Sequence, residues 1–182
     1  VRGKKPQAER WGLLEARVAA AMVLAARHPV REARLLVDQV CGGDDFERQS
    51  AADTARRLSE TDQGLALLAP HANALVSAAM VALAENAEPN WRTRGHMMLL
   101  AARVCRTQQQ RQVLADVLME HAEDKRIVLR ANALEALVTL SQQDAEMQAM
   151  VEPMLQRALR AASAAERCRA RDGLAKLCQG PA

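Results

Sequence analysis

One spacing constrains this chain more than any other feature. Arginine recurs at positions 48, 94, 130 and 167, and the same helical pattern follows each one. Three residues on stand Ala51, Met97, Ala133 and Ala170; seven on, Ala55, Ala101, Leu137 and Leu174; ten on, Leu58, Val104, Leu140 and Leu177. A fainter copy starts at Arg17, with Ala20 and Leu24 but Arg27 in the last place. Successive arginines are 31, 46, 36 and 37 residues apart. Offsets of three, seven and ten fall within about 60° of one another on a helix, so each copy predicts one buried stripe with its arginine at the edge. Small residues early in the stripe let two helices approach closely, and the larger Leu or Val at its end fills the gap beyond.

The segments between these copies carry stripes of their own: Val113, Leu114, Val117 and Leu118 in one, Met147, Met150, Val151, Met154 and Leu155 in another. Periodicity and the punctuation at Pro29, Gly42-Gly43, Pro70, Pro89-Asn90, Asp124 and Ser163 predict helices at about 7–28, 30–41, 45–59, 70–87, 90–105, 107–122, 126–141, 145–161 and 164–178. Thr61-Asp62 is placed to cap a short extra turn through Leu65, Leu67 and Leu68. Loops of a few residues force consecutive helices to pack antiparallel. Each pair is apolar toward both its partner and its neighbours, so one pair cannot bury its surface alone and the pairs are expected to stack.

Composition agrees with an all-α chain. Aromatics make up 2% of the residues (Trp11, Phe46 and Trp91) while alanine supplies 37, which leaves little of the β-branched and aromatic stock of sheets. The net charge of +3 is too small for a polyelectrolyte-binding field, so nucleic acid is allowed and not demanded. The 21 arginines against 4 lysines reflect codon supply in part, which weakens a functional reading of any arginine cluster. Cys41, Cys105, Cys168 and Cys178 form no CxxC, and the closest two lie ten residues apart on one expected helix, beyond disulfide reach. They read as small core residues in a reduced, cytoplasmic compartment. The longest unbroken apolar run, Val18 to Ala26, is half of a bilayer span, so no membrane partner is expected.

At this point the residues resemble the HEAT family of helical repeats. The resemblance is closest in Leu129-Arg130 with Ala133, Leu137 and Leu140, and in Pro153 followed by Arg167, Ala170, Leu174 and Leu177. It implies a right-handed α-solenoid of about four to five stacked antiparallel helix pairs. A single repeat domain would span 7–178, with a flexible lead at 1–6 and a tail at 179–182. In that family a Pro commonly bends the first helix of a pair and an Asp–Arg ladder runs along the stack; Asp124, six residues before Arg130, looks like one rung. No acid stands in the same place before Arg167, and the 46-residue unit is overlong.

Chemistry is harder to find. His28, His71, His96 and His121 form no HExxH, ExxH or His–Cys cluster, so no metal site and no cofactor is expected. His121 beside Glu120, Glu123 and Asp124 reads as a helix-end partner. Asp44-Asp45 reads as an N-cap, and Cys41 before Gly42-Gly43 as a helix terminus closed by a left-handed glycine. No catalytic residue is assigned. Along the exposed side of the register helices, Asp53 with Arg57 and Asp172 with Lys176 are self-neutralising i,i+4 pairs, which leaves Arg103 alone unpaired in that row.

The remaining patch is Asn90 to His96. Trp91 can staple the start of its helix to the core; if exposed, Trp91, Arg92, His96 and Arg103 form the expected partner-binding site, since Trp and Arg dominate interface hot spots. The leading expectation is therefore a non-enzymatic scaffold, or an interaction segment of a larger protein, that binds a protein partner as a monomer or weak dimer. The alternative is a nucleic-acid binder, since some HEAT-like proteins are DNA glycosylases with a basic groove. That alternative requires Arg92, Arg94, Arg103, Arg106 and Arg111 to converge on one surface.

Overall fold

The computed structural model describes residues 7–84, 90–142 and 144–179, with side chains from residue 12 onward. The expected lead 1–6, and the tail beyond Gln179, lie outside the described residues. Every regular element among the described residues is helical: α1 (Gln7–Arg27), α2 (Pro29–Gly42), α3 (Asp45–Leu58), α4 (Asp62–Leu68), α5 (Ala72–Leu83), α6 (Trp91–Val104), α7 (Gln108–His121), α8 (Ile127–Ser141), α9 (Ala145–Ala158) and α10 (Ala164–Cys178). A 3-10 turn at Ala69–His71 joins α4 to α5.

Polar residues set the helix starts. Side chains of Asp44, Thr61, Asn90, Thr107, Asp144 and Ser163 accept backbone N–H bonds from the first turns of α3, α4, α6, α7, α9 and α10. Asp44 with Glu47 and Thr107 with Gln110 complete capping boxes. Where α2 ends, Gly43 leaves in an extended conformation (φ −70°) and not in the left-handed one expected of it. The 46-residue spacing between Arg48 and Arg94 has a plain cause: it contains α4 and the 3-10 turn, an insertion between one register helix and the next pair.

The helices pack in a regular order. In each of the pairs α2/α3, α5/α6, α7/α8 and α9/α10 the two helices touch; α1, α3, α6, α8 and α10 each pack on the next, and so do α2, α5 and α7. The predicted stripes form the core along this succession. Ala51, Ala55 and Leu58, then Met97, Ala101 and Val104, then Ala133, Leu137 and Leu140, are buried in one continuous apolar cluster that reaches Ala170. Close approach between neighbouring helices is required at Gly95 and Gly173. A Cβ on Gly95 would run into the Asn132 amide, and one on Gly173 into Val138 and Leu155.

The faint first copy does not follow the rule. Ala20 and Leu24 of α1 are exposed, and α1 is anchored instead by Leu14, Val18 and Ala25. Only α2 and α3 pack on α1 closely, so there is no earlier helix among the described residues to bury its stripe. The cysteine expectation also needs correction: Cys105 is buried, but Cys41, Cys168 and Cys178 are exposed, and all four are free. One stretch, Asp62–Leu83, is long and apolar enough to span a membrane by composition, and a third of it is buried. It is interrupted by the 3-10 turn at Ala69–His71.

Candidate partner-binding face

The register arginines do two jobs. Three of them, Arg48, Arg130 and Arg167, turn back to cap the chain that leads into their helices. Arg48 donates to the Gly43 carbonyl (2.9 Å), Arg130 to those of Asp124 (2.8 Å) and Lys125 (3.3 Å), and Arg167 to those of Ala161 and Ala162 (both 2.7 Å). Carbonyls left over at a helix junction thus gain a charged donor. Two register arginines also reach the next copy. Arg130 forms a two-pronged pair with Glu166 (2.7 and 3.0 Å), and Arg17 meets Glu47 at 3.6 Å.

In both pairs the acid is the residue directly before the next register arginine, not six residues before its own. The expected rung at Asp124 is therefore corrected: its backbone carbonyl binds Arg130, while its carboxylate accepts from the Arg126 N–H at 2.7 Å. At the same place Thr93 and Leu129 precede Arg94 and Arg130, so the acid of the rung is not repeated in those two copies. Hydrogen bonding to Arg130 holds the Glu166 carboxyl below its usual range against the opposing effect of burial.

Beside this ladder runs a chain of alternating charges. Glu15 of α1 meets Arg57 (3.2 Å), which pairs with Asp53 (3.1 Å); Asp53 also holds Arg56 (3.0 Å), and Arg56 holds Glu60. Glu60 meets Arg103 of α6 (3.4 Å), Arg103 meets Glu135 of α8 (3.9 Å), and Glu135 meets Arg169 of α10 (3.2 Å). Arg103 is thus paired on both sides, contrary to the expectation that it stands alone. Its i−4 neighbour is Leu99, but the partners come from outside its helix, Glu60 from the turn after α3 and Glu135 from α8, which spacing along one helix does not reveal.

His96 is drawn into the same chain, with Nδ1 3.6 Å from the Asp53 carboxylate. Burial pushes its pKa down to about 4; Asp53 opposes this, and Arg56, Arg57 and Arg92 reinforce it, so the imidazole is neutral at pH 7. Asp53 is 3% exposed, and burial alone would raise its carboxyl. His96 and hydrogen bonds from Arg57 and Arg56 bring it below its usual range instead. The chain therefore sets the carboxylates of Glu15, Asp53, Glu60 and Glu135 against the guanidiniums of Arg56, Arg57, Arg103 and Arg169, and leaves no net charge.

The other two expected contact residues lie elsewhere on α6. Trp91 is half-buried and packs against the core, with the Arg92 guanidinium 4.8 Å from its ring centre. The structure thus brings His96 and Arg103 into one charged chain and keeps Trp91 and Arg92 as a stacked pair at the helix start.

A polar recess of about 320 Å³ opens beside Arg103, lined by Glu60, Cys105, Arg111, Thr139, Gln142 and Lys176 among others. It sits where α3, α6, α8 and α10 end. Two of its cations, Arg103 and Lys176, stand in the last turns of α6 and α10, where the helix dipole favours positive charge. Burial pushes the Cys105 thiol up to about 11, with Arg111 acting in the opposite direction, so this sulfur is a protonated thiol and no nucleophile at neutral pH. Among the described residues no group of three or more His, Cys, Asp or Glu is arranged to hold a metal ion. His121 ties α7 to α5, with Nε2 3.0 Å from the Leu83 carbonyl oxygen.

The more apolar openings lie on the other helix series. A mainly apolar cleft of about 540 Å³ is walled by Val40, Cys41, Ala74, Ala78, Val81 and Ala82 of α2 and α5, with Arg48 of α3 at its side. A second, of about 370 Å³, is walled by Val76, Met80 and Val113 between α5 and α7, and Ser77 borders both. Val81 is 67% exposed and Val113 47%. Compared with protein-family models, curated proteins and solved structures, the chain finds no match.

Proposed function

We propose that this chain is a HEAT-like α-solenoid that acts as a non-enzymatic scaffold and binds a protein partner. The solenoid reading is supported by the four repeated stripes, by the register arginines that cap their own junctions, and by the order in which α1, α3, α6, α8 and α10 touch. The observation that carries the functional reading is a contrast between two faces. The chain of charges from Glu15 to Arg169 is matched acid for base, whereas the α2, α5 and α7 face offers mainly apolar clefts with Val81 and Val113 at their rims. Apolar surface rimmed by polar groups is what protein interfaces use. The Trp91–Arg92 stack belongs to the same proposal as a second contact point.

A photo-crosslinking residue placed singly at Val81, Val113 or Trp91, with Ala165 of α10 as control, tests this in cells. The scaffold reading expects one discrete protein adduct from Val81 or Val113 and none from Ala165. Adducts that are absent at all three sites, or equal at Ala165, contradict it.

A further inference from the structure

The first helix carries an uncovered seam. Gly12, Leu13, Ala16, Ala19, Ala20, Val23 and Leu24 are all exposed on α1, Leu13 by 48%, Val23 by 53% and Leu24 by 42%. Between Ala16 and Ala26 no charged side chain is exposed, since Arg17 is half-buried against Glu47. The far end of the helix succession is different: exposed positions on α10 include Arg169, Arg171, Asp172 and Lys176. Leu13, Ala16, Ala20, Val23 and Arg27 follow one another by steps of three and four, the spacing of a helix–helix seam. Ala20 and Leu24 stand at the same register places as Ala51 and Ala55, Met97 and Ala101, or Ala133 and Leu137, which neighbouring helices bury.

The seam is complementary to itself. Turned about a two-fold axis at the level of position 18, it places Leu13 in one layer with Val23 and Ala16 in one layer with Ala20. A Cβ added at Gly12 meets nothing among the described residues, so that edge of the seam is open. The two Ala pairs at the axis allow close approach. Charge permits it too: Glu15 is already held by Arg57, and the two Arg27 residues lie about 27 Å apart in this arrangement, well beyond the screening length.

We infer that α1 is a self-association surface, on which a second copy of this chain packs its own α1 antiparallel. From Leu13 to Arg27 the seam is about 21 Å long and one helix wide, a few hundred Å² from each copy. That is less than the ~800 Å² per partner of a stable complex, so the dimer is weak, with a dissociation constant of about 10 to 1,000 μM.

Sedimentation of the full chain over a concentration series tests the inference, with Val23→Glu as the variant. Val23 is half exposed in the single chain, so the substitution leaves the fold intact, as an unchanged helical signal and melting curve should verify. The expected result is a concentration-dependent dimer whose dissociation constant rises at least about tenfold in Val23→Glu, because a carboxylate would be trapped in an apolar seam. For register, Ala16→Cys and Ala20→Cys are made separately in a Cys41→Ser, Cys168→Ser, Cys178→Ser background. Mixed and oxidised, the two should cross-link far more than either does alone. A chain that stays monomeric up to about 1 mM, a dimer untouched by Val23→Glu, or equal cross-linking of each single variant with itself overturns the inference.

Discussion

Replacing Arg130 with methionine should destabilise the fold by about 2 to 4 kcal/mol in denaturant titrations at pH 7. The side chain is only a quarter exposed and serves three acceptors at once: the Glu166 carboxylate and the carbonyls of Asp124 and Lys125. Methionine keeps the hydrophobic stem but leaves Glu166, whose side chain is 9% exposed, without its partner. Glu166→Gln is the milder change, because an amide oxygen still accepts from Arg130 and the carbonyl contacts persist. Its expected cost at pH 7 is about 1 kcal/mol. The folded-state carboxyl titrates below its ordinary value, so its stabilising effect is fully present above the unfolded pKa of about 4.3. It fades as pH falls through the lower folded value. The gap between wild type and Glu166→Gln should therefore close between pH 5 and pH 3. A gap that stays constant on acidification would mean that the ion pair does not stabilise the protein.

The second large effect is expected at Leu137. It is 1% exposed at the seventh place of its stripe, on the helix that packs against α6, α7, α9 and α10. Leu137→Ala removes buried apolar volume where neighbours on several sides would have to move together to refill it. The expected loss is about 2 to 5 kcal/mol. Ala133→Leu, one turn earlier, should cost about 1 to 3 kcal/mol for the opposite reason, since α6 and α8 approach closely there. Leu174→Ala, at the same stripe place in α10 but only half-buried, should cost clearly less than Leu137→Ala. Equal losses at 137 and 174 would deny that the succession of helices has an interior and an end.

Much of the helical order was legible because it rests on local chemistry. The caps at Asp44, Thr61, Asn90 and Thr107, and the stripes behind Arg94 and Arg130, are set by residues within one or two turns of each other. The expected 70–87 helix shows where that logic thins: its described part begins at Ala72, because the chain enters it through a 3-10 turn containing Pro70. Ala20 and Leu24 carry the right residues in the right places, yet whether a stripe is buried depends on which helix lies across it, and among the described residues none lies across theirs. The site was less legible than the fold for the same reason. Glu47 and Glu166 sit beside register arginines in the sequence but serve the arginines of the preceding copy, about thirty residues away. Arg103 looked alone because its partners, Glu60 and Glu135, come from outside its own helix. A search for acids directly before each register arginine would have found both rungs of the ladder.

The proposal that the chain of charges from Glu15 to Arg169 is already matched, leaving the apolar face to a protein partner, is tested most directly by a salt-resolved binding titration with fluorescent duplex and single-stranded DNA. Matched charges predict no binding tighter than the ~10⁻⁶ M edge of non-specific association at physiological salt, with a shallow dependence on salt concentration. Submicromolar binding that weakens steeply between low and physiological salt, and that is lost in Arg103→Ala or Arg111→Ala, would contradict it. That outcome would place phosphates where Glu60 and Glu135 now stand opposite Arg103.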